Sequence, residues 1–262
     1  MIETTAAPLL KLAGIAKSYV GVRALADVDF ASFPSSIHAV LGENGAGKST
    51  LIKIISGVVT PDSGTMTFAG NPVAFATPKD ANAVGIVSIF QELSVIPDLS
   101  VADNVSITDP PRRFGLIDQR RQRRRAEELL ARVGCEDINP IELVRNLPLS
   151  RRQMVEIAKA LGRDPKLLIL DEATSALTAA DVERVYAILH RLRGEGLSLL
   201  YISHRMHEIR ELADTISVFR NGRHVRTFPT GECSGDEVVQ MMIGREISTV
   251  YPPKPVREAL PA

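Results

Sequence analysis

The chain has 262 residues, 45% of them hydrophobic, enough for one sizeable core or a core with a subdomain. Its 31 Lys and Arg balance its 31 Asp and Glu, so net charge argues against nucleic acid as a partner, and no stretch approaches the ~18 apolar residues of a membrane span. Cys135 and Cys233 form no metal or redox spacing, which fits unpaired thiols in a reducing cytosol, and Met1-Ile2-Glu3-Thr4-Thr5 lacks the basic start and apolar run of a secretory signal, so any membrane role is expected to be peripheral.

From the N-terminus, alternating polarity predicts antiparallel strands over 9–13 and 26–33. Between them Lys17-Ser18-Tyr19-Val20-Gly21 reads as a turn carrying an exposed aromatic. The apolar run 37–41 predicts a buried strand. Gly42-Glu43-Asn44-Gly45-Ala46-Gly47-Lys48-Ser49-Thr50 follows with the pattern G-x-x-x-x-G-K-S, and 51–57 suits a short helix stopped by glycine. Strand, glycine-rich loop and helix together form the context in which this pattern wraps phosphates. Backbone N–H groups turn inward around the anion, and the helix begins there with its free N–H groups and positive dipole end. Lys48 is expected to reach the outer phosphates and the Ser49 hydroxyl to bind Mg²⁺.

Residues 60–64 then read as a turn, 65–69 as a strand, 78–83 as a helix and 85–90 as a buried strand ending at Gln91. Over 92–162 strand-like runs disappear, arginine becomes frequent, and helices are predicted over 119–133 and 150–161. The core resumes with a strand over 166–171, a helix over 179–193 closed by Gly194 and Gly196, and a strand over 198–202 ahead of Ser203-His204. A helix over 206–212, strands over 215–219 and 224–228 around Asn221-Gly222, and a last helix over 235–243 complete it; from Tyr251 the chain is Pro-rich. No internal repeat is evident. Strands alternating with helices predict a mainly parallel sheet covered on both faces.

Leu167-Leu168-Ile169-Leu170-Asp171-Glu172 is the second strong signal. A buried strand ending in acid holds a carboxylate rigidly beside the phosphate loop, where Asp171 meets Mg²⁺ directly or through water. Glu172 is then placed to take a proton from the water attacking a γ-phosphate. His204 and Gln91 follow strand ends. Each reads either as a contact to phosphate, metal or water, or as a solvated loop residue. Tyr19 reads either as an adenine-stacking ring or as an unremarkable exposed tyrosine.

Tyr19, Gly42 to Thr50, Gln91, the helical insert, Asp171-Glu172, Ser175-Ala176-Leu177 and His204 fall in one order along the chain. In that order the sequence resembles the nucleotide-binding subunit of an ABC transporter from about residue 9 to 245. Phe90-Gln91-Glu92-Leu93-Ser94-Val95-Ile96-Pro97 and Gln153-Met154-Val155-Glu156-Ile157-Ala158 are similar to the ATPases of bacterial ribose, galactose and xylose importers, in the first of their two tandem halves.

The resemblance implies an α/β fold: a P-loop NTPase core with a mainly parallel sheet, an antiparallel β subdomain and an α-helical insert. One domain over 1–262 is expected, with 9–91 and 163–245 as core, 92–162 as helical subdomain and 246–262 as tail. It implies ATP and Mg²⁺ as cofactors, with Tyr19 and Gly42 to Thr50 on ATP, Ser49, Gln91 and Asp171 on the metal, and Lys48, Glu172 and His204 in catalysis. The implied partners are a transmembrane permease, a second ATPase half and, indirectly, a periplasmic sugar-binding protein, with the chain peripheral on the cytoplasmic face of the inner membrane. The alternatives are a soluble ATP switch acting on nucleic acid or ribosome, and a non-hydrolysing ATP-binding module.

One stretch departs from the family pattern. Leu147-Pro148-Leu149-Ser150-Arg151 stands where the family has Leu-Ser-Gly-Gly-Gln, so the phosphate-facing serine is replaced by a proline lacking both hydroxyl and N–H. Arg151 and Arg152 remain as sources of charge. The resemblance therefore implies a sound loop half-site and a degenerate signature half-site. Ala173 and Thr178 also differ from the family's proline and aspartate. Arg112, Arg113, Arg120, Arg121, Arg123, Arg124 and Arg125 read first as a solvated helix face near Glu127 and Glu128, against nucleic-acid contact; the resemblance adds lipid headgroups as a third reading.

Overall fold

A computed structural model describes residues 7–172, 177–203 and 205–244. Its first elements are β1 (Leu10–Tyr19), β2 (Val22–Ser32), β3 (Ile37–Leu41), α1 (Lys48–Ile55), β4 (Ser63–Phe68), β5 (Asn71–Val73), α2 (Pro78–Val84) and β6 (Ile86–Ile89). Then come α3 (Val101–Ser106), β7 (Arg112–Arg113), β8 (Leu116–Ile117), α4 (Gln119–Arg132) and α5 (Leu149–Leu161). The chain continues through β9 (Leu167–Asp171), α6 (Ala179–Gly194), β10 (Ser198–Ile202), α7 (Met206–Leu212), β11 (Thr215–Arg220), β12 (Arg223–Pro229) and α8 (Gly235–Ile243).

The fully apolar runs become the centre of a six-stranded sheet in the order β12-β11-β3-β10-β9-β6. β11, β3, β10, β9 and β6 pair in parallel, and β12 adds an antiparallel edge. Alternate residues of these strands serve two cores, as the two-residue period of a strand requires. Val40, Ile169, Leu200 and Ile202 face α1 and a second, antiparallel sheet of order β2-β1-β4-β5, meeting Leu10, Leu12, Ile15, Val28 and Phe30. Ala39, Leu41, Leu168, Leu170 and Tyr201 face the other way, onto Val155 and Ile157 of α5, Val185 and Leu189 of α6, and Ile209 of α7.

Between β6 and β9, α3, α4 and α5 pack on one another. Asn104, fully buried, ties α3 to the preceding loop: its amide donates to the carbonyls of Ile96 and Ser100 at 3.0 Å each and its Oδ1 accepts from Ile96 N–H at 2.7 Å. Glu156 and Lys159 of α5 anchor Ser94, whose Oγ lies 2.5 Å from Glu156 and 2.7 Å from Lys159.

Three expectations change. Lys17, Ser18 and Tyr19 belong to β1, and the turn is confined to Val20-Gly21. Asp62 imposes this by accepting from Lys17 Nζ and Ser18 N–H, both at 2.7 Å, which holds the strand extended beyond its polar residues. The loop after Gln91 contains α3, started by Ser100, whose hydroxyl accepts from Asp103 N–H at 3.1 Å. The phosphate-loop helix begins at Lys48, three residues before its apolar stretch. Ala173, Ser175-Ala176, His204 and the tail over 246–262 lie outside the described residues.

Candidate functional site

The parallel strands end on one edge, and the functional side chains gather there, as expected outside the carboxyl ends of an open sheet. β3 leads into the glycine-rich loop, β9 ends at Asp171, and Gln91 follows β6. A cleft of about 480 Å³ opens between them, lined by Asn44 to Thr50, Gln91, Asp171 and Glu172, with Tyr19, Val22, Arg23 and Ala24 as its far wall. That volume suits a small-molecule ligand. Gly42 and Glu43 form the root of the loop.

Gly47 caps α1 with φ of 101°, and a Cβ there would sit 2.7 Å from the Ala24 carbonyl oxygen. Only glycine fits this conformation at this distance. It offers no capping side chain, so the first N–H groups of α1 remain directed at the cleft. Lys48, nearly fully buried, donates from Nζ to the carbonyls of Gly42 at 2.7 Å and Glu43 at 3.0 Å, lying back along the loop it emerges from.

Charge and burial compete here. Burial pushes the Lys48 ammonium below its ordinary pKa, while Glu172 and Asp171 pull it up. Burial, then the neighbouring Glu172, pushes the Asp171 carboxyl above its ordinary value, against Lys48 and Lys53. The lysine and both acids therefore feel one another across the floor of the cleft. Glu172 takes φ of 49°, uncommon for a residue with a side chain, and its N–H donates to Ile202 at the tip of β10 at 3.0 Å. The sharp corner after β9 is thus locked to the neighbouring strand.

Tyr19, 43% exposed, stands at the end of β1 with Lys17 Nζ 5.9 Å from its ring centroid. His204 lies outside the described residues, but its neighbours are fixed. Buried Glu208 of α7 accepts from the hydroxyls of Tyr201 at 2.8 Å and Ser203 at 2.9 Å, and from Arg205 at 3.2 Å. Sequence reasoning passes over Arg23 and Glu208: an arginine just beyond a predicted turn and a glutamate in a short helix carry no motif.

The stretch from Leu147 to Arg151 sits at the start of α5, away from this cleft's lining. Pro148 is the N-cap without a capping side chain, and Leu149 is 44% exposed. Arg151 donates to Cys135 Sγ at 3.2 Å and Asp137 at 2.8 Å; Arg152 donates to the carbonyls of Leu147 and Arg145 at 2.8 Å each. Both guanidinium groups are thus hydrogen-bonded within their own subdomain.

Residues 25–175 match the family model described as ABC transporter. The chain belongs to the ABC transporter family. It is 64% identical over 248 residues to a ribose import ATP-binding protein of Rhizobium johnstonii, covering 95% of this chain and 48% of that protein. A ribose import ATP-binding protein of Mesorhizobium japonicum is 62% identical over 98% of this chain and 50% of its own length. The chain thus spans about half the length of these curated relatives. Its fold matches a solved ATP-binding cassette of an ABC transporter, MJ1267, with a TM-score of 0.80 and 22% identity over 90% of this chain and 99% of that one. The P-loop α/β architecture is therefore that of the ABC cassettes. No described helix is long and apolar enough to cross a membrane.

Proposed function

We propose that the chain binds Mg²⁺-ATP in the cleft and hydrolyses it to energise import of a sugar through a separate membrane permease. The observation that carries this reading is the meeting of Lys48, Asp171 and Glu172 at the mouth of the glycine-rich loop, where burial lowers the pKa of Lys48 and burial with the neighbouring Glu172 raises that of Asp171. The ribose-import names of its relatives supply the substrate class.

In this reading the loop N–H groups and the N-terminus of α1 hold the phosphates, and Tyr19 supports the adenine. Lys48 turns from its loop carbonyls toward the outer phosphates. Glu172 takes a proton from the attacking water, worth roughly 10²–10⁴ in rate, and His204 steadies water and γ-phosphate. The work is positioning and electrostatics, without a covalent enzyme intermediate. Ser49, Gln91 and Asp171 present hydroxyl, amide and carboxylate oxygens, a donor set suited to Mg²⁺, which when bound neutralises phosphate charge.

The site needs a second ATPase domain for its other face, and Pro148 with Leu149 makes this chain a poor donor of that face in return. The pair is asymmetric: the Lys48 site turns over and the site facing Leu147 to Arg151 is slow. The chain works as a peripheral subunit on the cytoplasmic face, with a periplasmic sugar-binding protein as indirect partner and no nucleic acid. Co-purification with a permease, and ATP-stimulated sugar uptake in vesicles holding both, test the transport reading. Absence of both would refute it.

A further inference from the structure

β7 and β8 form a two-stranded hairpin whose turn, Phe114-Gly115, has φ of 52° and 84°. It carries a run of exposed apolar side chains: Phe114 is 92% exposed, Leu116 76% and Ile117 51%. Such a cluster on a protruding element marks a contact surface. Its surroundings are basic. Residues 107–125 hold seven arginines against two aspartates, in a chain of zero net charge. Both aspartates are already engaged, Asp118 with Arg121 at 3.5 Å and Asp109 with Arg125 at 3.7 Å. Arg112, Arg113, Arg120 and Arg123 make no ion pair among the described residues, and the Arg113 guanidinium lies 5.3 Å from the Phe114 ring centroid.

We propose that this hairpin and the first turns of α4 form a contact surface for an anionic lipid bilayer, with Phe114 and Leu116 entering the headgroup boundary and the four unpaired arginines on lipid phosphates. The near-complete exposure of Phe114 at the turn, with Leu116 and Ile117 beside it, suits a bilayer, which takes in apolar side chains without a matching socket. Side-chain chemistry decides against nucleic acid. Base stacking uses aromatic rings, and here one ring stands beside two aliphatic chains that lipid tails accept and bases do not. A single apolar cluster gives weak, reversible binding, and each arginine near an anionic surface strengthens it. The inference agrees with the transport reading but stands on the hairpin alone.

The test is co-sedimentation of the full chain with vesicles of phosphatidylcholine, with and without one third phosphatidylglycerol, at low and high salt. ATP-analogue binding on the same samples keeps the state of the cleft separate from the result. Binding is expected only to the anionic vesicles, falling with salt. Phe114→Ser/Leu116→Ser and, separately, Arg112→Gln/Arg113→Gln are each expected to lower it on the order of tenfold, with analogue binding unchanged. Arg120→Gln/Arg123→Gln, on the helix, is expected to act in the same direction. No anionic preference, no effect of either hairpin variant, or stronger retention on an oligonucleotide than on the vesicles would each overturn the proposal.

Discussion

The backbone N–H of Gly222 donates to the carbonyl of Ala46 at 3.1 Å, tying the β11–β12 turn to the phosphate-binding loop. The Gly222 carbonyl in turn accepts from Ala26 N–H of β2 at 2.8 Å, so one glycine braces the loop against the antiparallel sheet. Gly222 has φ of 72°, and a Cβ there would stand 2.7 Å from the Ala24 carbonyl oxygen. Gly222→Ala is therefore expected to lose about 1–3 kcal/mol of stability and to displace the loop it supports. Titration with a fluorescent ATP analogue should show affinity at least roughly tenfold weaker, about the 1.4 kcal/mol that separates a held loop from a shifted one. Unchanged affinity would show that the brace is irrelevant to binding.

Lys48 and Asp171 work against stability. For Lys48 the folded pKa is depressed below 10.5 by burial, so its contribution is present above 10.5 and lost as pH falls through the lowered value. Asp171, raised by burial, contributes stability below the ordinary carboxylate range and loses it as pH rises through its own value. Holding either group charged in the folded state therefore costs stability. Lys48→Met should raise the nucleotide-free unfolding free energy by about 0.5–2 kcal/mol while abolishing the stabilisation that added ATP gives the parent. Urea unfolding with and without Mg²⁺-ATP checks both halves of this expectation.

His38 is fully buried in β3 and bonds Ser217 at 2.8 Å through Nε2, while its Nδ1 has no partner among the described residues. Burial, reinforced by His224, takes its pKa from 6.5 down to about 3. The folded state resists a proton that the unfolded chain accepts, so stability is complete above 6.5 and declines as pH falls toward 3. Between pH 6.5 and 4.5 the loss should be about 2–3 kcal/mol. His38→Gln, neutral throughout, should flatten that slope in urea titrations across this range.

The start of α5 lacks a side-chain cap because Pro148 occupies the N-cap position, with φ of −64° and ψ of 160°. Serine adopts the same angles and brings a hydroxyl for the N–H groups of the first turn. Pro148→Ser is expected to stabilise the fold by about 0.5–2 kcal/mol, seen as a rise in thermal midpoint. In the paired assembly the same change should also raise turnover at the slow site.

How much of this was legible depends on where each signal resides. The strands Ile37–Leu41, Leu167–Asp171 and Ser198–Ile202 are buried over nearly their whole length, so each reads as a mainly apolar run, and the glycine-rich loop is legible because its chemistry dictates its spacing. The turn at Asn221-Gly222 is equally plain, but its contact with Ala46 is not, being made across 176 residues by backbone atoms. The extension of β1 through Tyr19 is hidden for a related reason: polar Lys17 and Ser18 suggest a turn until Asp62, far along the chain, holds them extended. The hairpin at Phe114 hides because its apolar residues face solvent and leave no core pattern. Arg151 reads as a source of charge in sequence, and its pairing with Asp137 emerges only once α5 packs beside the Cys135 loop.

Hydrolysis of ATP is proposed at the site built from Lys48, Asp171 and Glu172, completed by a second cassette. The most direct measurement is single-turnover hydrolysis of Mg²⁺-ATP by the chain paired with the second ATPase half of a relative, comparing the parent with Glu172→Gln. Retained ATP binding and a rate lower by roughly 10²–10⁴ are expected in the variant. Full hydrolysis by the paired Glu172→Gln chain would contradict it.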